Sequence, residues 1–510
     1  MRTKNSVVNI VTSTVMSSVA IFVGFIAQRI FIHSLGLEYL GINGLFTNII
    51  YMLGIFELGL GPAIVYHLYK PIADKDRSRI KSLMEFYKKG YRIIALVVVV
   101  IGLLIMPFIG LIVGKVNIPE NIYIIYALFL VDVACSYTLA YKRSILYADQ
   151  KNFFINGVHI GYTVVMNGLQ IALLLTTKNY YLYLAIKVFM RIVENLVIIA
   201  IVNNRYSFLN NSKTSSIDDS TKQDIFKKIK ALFIFKIADF VVLGSDNIII
   251  SIFLGIKTVG LYSNYFLVIS AMANIVNQAF TAITASVGSL LIDSNHKKSF
   301  DIYKRMHLAN FWLASITATG FTIGMNSFIT IWLGDVYIFT VGVLVALGVN
   351  LYLQLMRYAT NSFKEAAGIW HEDRLVPLVE AIVNIVSAII LLQFFGLAGV
   401  FMGTICSNLV IHLFDYPKFV YTRLFKRSYR DYYVEFIKYL VLALTAGIVT
   451  FAISRTIVVD NMIVQFIINV ALSVAIPSTI IYFVYRKSDE YIYFRELVKR
   501  MYIKIKPGIR

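Results

Sequence analysis

The chain has little of what soluble proteins and most enzymes depend on. Its 510 residues include only two cysteines, eight prolines and three tryptophans. Cys135 and Cys406 each fall inside an apolar stretch, so neither supports a structural disulfide and both read as small packing residues. Acidic residues are outnumbered, with 28 Asp and Glu against 48 Lys and Arg and a net charge of +20. No G-x-x-x-x-G-K-[ST] loop is present, which excludes a nucleotide-driven motor within the chain. No H-E-x-x-H and no close His/Cys/Asp cluster is present either, so neither a metal site nor a catalytic centre is expected. What is abundant is apolar surface: 58% of residues are hydrophobic, 14% are aromatic, and the mean hydropathy is +0.73. These values lie outside the soluble range and predict an all-α polytopic membrane protein. The first apolar span lacks a small-residue cleavage site and is too long for a signal-peptide core, so it reads as a retained helix.

A hydrocarbon core about 30 Å thick needs spans of about twenty apolar residues. Fourteen such spans are legible, near 9–33, 40–66, 92–114, 119–141, 153–176, 180–202, 231–254, 259–291, 308–333, 336–357, 371–394, 397–416, 434–454 and 461–485. The run 259–291 is long enough to tilt, break or extend past the bilayer. Basic residues check the count. With both termini in the cytoplasm, 40 of the 48 lysines and arginines fall in inside segments, and only Lys115, Lys178, Lys257 and Arg455 fall outside. One missed span would destroy that asymmetry. The same distribution explains the +20 charge as topology, and nucleic acid is excluded as a partner. The outside connections are all short, leaving no room for an external catalytic domain such as a membrane polymerase or ligase would need.

The longest polar segment, 203–230, is rich in Ser, Asn and Asp at its start and in Lys at its end. It reads as a cytoplasmic linker with an amphipathic lead into the seventh span. The division expected is therefore an N-lobe of six helices (1–202), the linker (203–230), a C-lobe of six helices (231–420), and two further helices with a basic cytoplasmic tail (421–510).

The stretch 25–70 organises this arrangement. Two spans meet at Leu35-Gly36-Leu37-Glu38-Tyr39-Leu40-Gly41, with Arg29 inside the first and Glu57 inside the second. A lone charge at the centre of a membrane helix costs about 2.5–3.5 kcal/mol, so these two point to a polar cavity or to partners. The joint returns 219 residues later as Leu254-Gly255-Ile256-Lys257-Thr258-Val259-Gly260, which indicates that the two six-helix halves are pseudo-symmetric repeats. On this offset Ala27 matches Asp246 and Gln28 matches Asn247. The depth shared by Arg29 and Asp246 suggests that they pair across the gap between halves. Glu57-Leu58-Gly59-Leu60-Gly61-Pro62 predicts a kink at Glu57, in a helix that either bends for function or packs Glu57 on a neighbour.

Other spans also carry charges. Lys187, Arg191 and Glu194 share one stripe of the sixth, which reads either as an anion site or as a structural cluster closed by Glu194 and an aspartate elsewhere. Lys236, Asp239 and Asp246 lie on nearly one face of the seventh, with the first two spaced to neutralise each other. Asp132 and Glu380 read as structural or cavity-lining groups, and His159 and His412 as satisfied packing residues. In all, four intramembrane cations face six carboxylates, so the interior charge is mixed.

The run SLGLEYLGINGLFTNIIYMLGIFELGLGPAIVYHLYKPIADKD, followed by IKSLMEFYKKGYRII, resembles the Wzx-type polysaccharide flippases of Gram-positive bacteria. These belong to the multidrug/oligosaccharidyl-lipid/polysaccharide exporter superfamily. NSFKEAAGIWHEDRLVPLVEAIVNIVSAII and FGLAGVFMGTICSNL carry the likeness into the second half. The resemblance implies two six-helix lobes around a cavity that alternates between the faces of a bacterial cytoplasmic membrane. Its implied cargo is undecaprenyl-pyrophosphate-linked oligosaccharide, and its implied partners are the bilayer and the polysaccharide polymerase and assembly proteins. A related lipid II flippase also has fourteen helices, the last two forming a lipid-facing groove. Against that background Arg29, Lys187, Arg191, Lys236, Asn247 and Gln278 are the candidate substrate ligands. Glu57, Asp239 and Asp246 are the candidates for ion coupling or gating, driven by a proton or sodium gradient with no bound cofactor. The mixed charge leaves open the superfamily's other branch, cation-coupled multidrug export. A membrane-embedded transferase acting on the same lipid lacks the donor loop and catalytic group it would need.

Overall fold

Apolar residues run continuously through each predicted span, and in lipid only a helix satisfies every backbone N–H and C=O within its own segment. The computed structural model describes residues 2–54, 60–211, 217–293, 296–369 and 375–505. Among them no strand occurs, and the helices follow the predicted spans in order. They are α1 (Arg2–Leu35), α2 (Leu37–Leu53), α3 (Leu60–Ala73), α4 (Arg77–Ile105), α5 (Ile122–Ala140), α6 (Arg143–Ala148), α7 (Asn152–Thr177), α8 (Tyr180–Arg205), α9 (Asp219–Leu254), α10 (Ile256–Asp293) and α11 (His296–Trp332). There follow α12 (Val341–Ala366), α13 (Val376–Phe395), α14 (Leu397–Val410), α15 (Tyr429–Thr456), α16 (Met462–Tyr485) and α17 (Asp489–Ile505). Among the described residues nine helical segments are long and apolar enough to cross a membrane, and two shorter apolar helices run over Ile122–Thr138 and Gly244–Leu254. Large apolar side chains such as Leu111, Phe394 and Ile448 stand well exposed on these helices, as lipid-facing residues do.

The lysine-rich end of the linker is absorbed into α9, which runs unbroken from Asp219. The run 259–291 resolves as α10, whose 38 residues at about 1.5 Å each exceed a 30 Å core, so it extends past the bilayer. Glu57 and the kink expected there lie outside the described residues. The side chains of Lys236 and Asp239 do so too, although the backbone of α9 is helical at both.

By packing, the chain divides into Met1–Asn264 and Tyr265–Arg510, a division that falls inside α10 rather than in the linker. In the first unit α1 packs along α7, α5 lies between α4 and α8, and α2 packs on α9. Its core around Ile64, Leu68, Leu83, Tyr87, Ile145 and Val202 ties α3, α4, α6 and α8 together. In the second unit α11 packs on α12, α15 and α16, and α13 lies tightly against α14. That tightness has a cause: a Cβ at Gly403 would stand 2.4 Å from the Ala388 backbone nitrogen. Gly399 and Gly403 form the small-xxx-small spacing that lets membrane helices approach backbone to backbone. Beyond Val410 the helix continues as a π-helix over Ile411–Leu424, with Pro417 inside it.

Candidate substrate site

The repeated joint is a structural fact. Gly36 (φ 96, ψ −177) and Gly255 (φ 86, ψ 160) adopt the same backbone conformation, one that residues with a Cβ rarely enter. The two joints then meet. A Cβ on Gly41 would stand 2.1 Å from the Ile256 carbonyl oxygen, and one on Gly260 would stand 2.4 Å from that of Leu37. Shifting either contact by the 219-residue offset produces the other. Glu38 and Lys257, also related by that offset, pair with each other at 3.2 Å. Deeper in the membrane Gln28 Nε2 donates to Asn264 Oδ1 at 2.7 Å, and Asn247 Nδ2 donates to the Gly44 carbonyl at 3.5 Å. These two bonds are images of one another to within one residue.

The expected pairing of Arg29 with Asp246 is not formed. Arg29 is exposed, Asp246 is buried, and no ion pair joins them among the described residues. The reason is rotation. Neighbouring residues on a helix point about 100° apart, so when Gln28 faces Asn264 the next residue turns away. Equal depth did not mean a shared face. Asn247 is buried in this seam, and Gln278 is half-buried further along α10.

The charged stripe on the sixth span is the centre of a larger network, assembled on α5, α6, α7 and α8. Arg191 reaches Asp132 through Nε at 3.3 Å and Glu194 through Nη1 at 2.8 Å. Lys187 lies 3.6 Å from Asp132, Arg143 lies 3.4 Å from Glu194, and His159 Nδ1 lies 2.9 Å from the other Glu194 oxygen. Both carboxylates foreseen for a closed cluster are therefore present. They are also the inner layer: the Glu194 side chain is fully buried and that of Asp132 is 12% exposed, whereas Arg143, Lys187 and Arg191 are 21–24% exposed. Aromatic faces line the cations, with Lys187 4.4 Å from the Phe129 ring centre and Arg191 4.9 Å from that of Tyr162. Among the described residues Arg143, Lys187 and Arg191 face two carboxylates, before any proton on His159 is counted. Arg143 and Asn195 were not singled out in the sequence, because Arg143 reads as a loop charge and Asn195 is a single amide in an apolar run.

The second unit repeats part of this arrangement. Arg143 donates to Asn195 Oδ1 at 2.9 Å, and Arg357 donates to Asn408 Oδ1 at 3.0 Å, the partners being 52 and 51 residues apart. Asn195 in turn donates to the Cys135 carbonyl on α5, and Asn408 to Asn350 on α12. The carboxylates differ. Among the described residues Arg357 pairs with Glu380 at 2.7 Å and Lys364 with Asp415 at 2.5 Å, two cations for two anions. His412 is a satisfied packing residue, as expected, bonded to Tyr432 and to the Leu353 carbonyl. Cys135 and Cys406 are free thiols.

The all-helical fold of this chain is shared by solved structures of a lipid flippase and of multidrug transporters. The chain aligns with the lipid II flippase MurJ in its inward closed conformation at a TM-score of 0.68 and 14% identity, over 93% of this chain and 98% of that one. An inward-facing multidrug resistance MATE family transporter of the MOP superfamily aligns at 0.57 and 15% identity, over 77% of this chain and 91% of that one. A MATE transporter from Vibrio cholerae, VcmN, aligns at 0.52 and 15% identity, over 80% and 95%. No family model and no curated protein sequence matches the chain.

Proposed function

We propose that this chain is a flippase that moves undecaprenyl-pyrophosphate-linked oligosaccharide from the inner to the outer leaflet of a bacterial cytoplasmic membrane by alternating access, for assembly of a cell-surface polysaccharide. The carrying observation is the excess of cations over carboxylates in the partly exposed network of Arg143, Lys187 and Arg191. An unbalanced cation in a membrane helix is costly, and a pyrophosphate offsets it. Arginine's planar fork matches phosphate geometry, and lysine adds a point charge. Arg29, Lys236, Asn247 and Gln278 complete the proposed substrate contacts, the amides taking the place of water around sugar hydroxyls. Glu57, Asp239 and Asp246 are the proposed coupling groups for a proton or sodium gradient. Both termini are cytoplasmic in this reading. Multidrug export, which would use Glu57 and Asp239 to hold a cation, is the weaker alternative; Asp132 and Glu194 are already engaged by cations and offer little to a cationic drug.

The test uses purified protein in liposomes loaded with short-chain polyprenyl-pyrophosphate oligosaccharide, following lectin-accessible sugar over time. Transport that is lost with Arg191→Ala, and absent for polyprenyl phosphate lacking sugar, supports the proposal. Export of a cationic dye with no glycolipid movement overturns it.

A further inference from the structure

The connection 417–433, between two spans of the second unit, carries five cations, Lys418, Arg423, Lys426, Arg427 and Arg430, against the single carboxylate of Asp431. Much of it is the π-helix Ile411–Leu424, a winding with i→i+5 hydrogen bonds that often marks a functional site. Leu413, Phe414, Pro417, Lys418 and Thr422 of that helix line a groove of about 430 Å³, within the roughly 300–1,000 Å³ usual for ligand pockets. Leu375 and Val376 at the start of α13, and Tyr429 and Tyr433 on α15, complete the lining. Tyr433 donates to the Leu413 carbonyl at 2.6 Å, which fixes α15 against the π-helix.

The groove joins two kinds of surface. The Lys418 ammonium stands 5.3 Å and the Arg423 guanidinium 5.4 Å from the centre of one ring, that of the buried Phe419. Two cations gathered over one ring repel each other, and Lys418 enters no ion pair among the described residues. An anion shared by the two offsets that repulsion. Apolar surface then leaves the groove in two helical stripes. One runs along α13 through Leu375, Val379 and Ile382, and the other along α15 from Tyr433 through Ile437 and Val441. The five aliphatic residues are 48–64% exposed, as lipid-facing side chains are. One anion site above two apolar stripes matches a phosphate carrying two acyl chains, whereas a polyprenyl lipid has one chain.

We propose that this groove is a binding site for an anionic glycerophospholipid of the leaflet that meets the basic loops. The lipid phosphate lies between Lys418 and Arg423, and its chains follow the stripes on α13 and α15. All of these residues belong to the second unit, whereas the network of Arg143, Lys187 and Arg191 belongs to the first. The site therefore stands whether or not the chain moves a glycolipid.

The test uses the full chain in detergent, in a Cys135→Ser, Cys406→Ser background with Thr422→Cys as reporter. Thr422 lines the groove and is exposed, so a thiol there reacts with a maleimide while the groove is empty. Titration with short-chain phosphatidylglycerol is expected to protect the thiol, and phosphatidylcholine is expected not to. Lys418→Ala with Arg423→Ala should raise the half-protecting concentration roughly thirtyfold, about fivefold for each cation removed. Lys418→Arg with Arg423→Lys should leave it nearly unchanged. Lys418, Thr422 and Arg423 are all exposed, so these variants keep the fold. As a control, Arg486→Ala with Lys487→Ala removes two exposed cations beyond α16 and should not move the midpoint. An equal rise in that control means general attraction to an anionic micelle and overturns the site. Equal protection by phosphatidylcholine overturns the anion preference, and with it the proposal. Protection by inorganic phosphate alone assigns the groove to a soluble anion, and protection by polyprenyl pyrophosphate without phosphatidylglycerol assigns it to the cargo; either overturns the proposal. A thiol that only a soluble protein fraction protects makes the groove a protein-docking site and overturns it too.

Discussion

The polar centres of the two units share a plan and differ in charge. Each sets an arginine against an asparagine, Arg143 on α6 against Asn195 on α8 and Arg357 on α12 against Asn408 on α14. In the second unit the ions among the described residues are matched, with Glu380 for Arg357 and Asp415 for Lys364, and the carboxylates are nearly inaccessible. In the first, Lys187 and Arg191 have been added over the same plan, and the added charge sits on the outer, partly exposed layer. A matched centre serves to hold helices together. An unmatched one has a cation to spare, and under the proposed function the pyrophosphate of the cargo offsets it.

The largest effect should break the matched centre. Lys364→Ala leaves Asp415 buried without its cation and should lower stability by about 3–5 kcal/mol, read as a fall in thermal midpoint in detergent. Next, Arg357→Ala and Arg143→Ala test the shared plan. The first removes the partner of a nearly buried carboxylate and should cost about 3 kcal/mol. The second leaves Glu194 with Arg191 and His159 and should cost about 1 kcal/mol, so equal losses would erase the distinction between the centres. Lys187→Gln sharpens it further. Asp132 keeps Arg191, so the melting temperature should barely move while glycolipid transport falls about tenfold, as expected when one charged contact to cargo is removed.

The smallest effect lies outside both centres. Glu490, at the start of α17, pairs with Lys304 at 2.9 Å in a partly exposed contact worth about 0.2–1 kcal/mol. Partial burial pushes its carboxyl up, but the hydrogen bonds from Lys304, its own backbone N–H and Ser488, together with the Lys304 charge, outweigh this and hold it below the usual carboxylate value. The contribution is therefore complete above the ordinary carboxylate range and is lost only as pH falls through the lowered value. Protection of the α17 amides, corrected for the intrinsic pH dependence of exchange, should be flat across neutral pH and fall only in acid. A loss of protection near pH 7 would contradict the pairing.

Much of this was legible along the chain. The apolar runs, the basic gaps and the two L-G-x-x-x-x-G joints placed the helices, and the joints proved to be in contact as images of each other. The stripe of Lys187, Arg191 and Glu194 was legible as a cluster, including the need for an aspartate from elsewhere. Arg143 and Asn195 were missed because a loop cation and a single amide carry no periodic signal. Arg29 was paired with Asp246 from depth alone, which fixes height in the membrane but not rotation about the helix.

The sequence by itself determined the spans and the repeat, because insertion into lipid depends on local hydrophobicity and each span declares itself. Only the tertiary structure decided which charges meet. That choice depends on the rotation of each helix and the identity of its neighbours, and both are set by glycine contacts such as Gly41 on Ile256, where two segments more than 200 residues apart approach backbone to backbone.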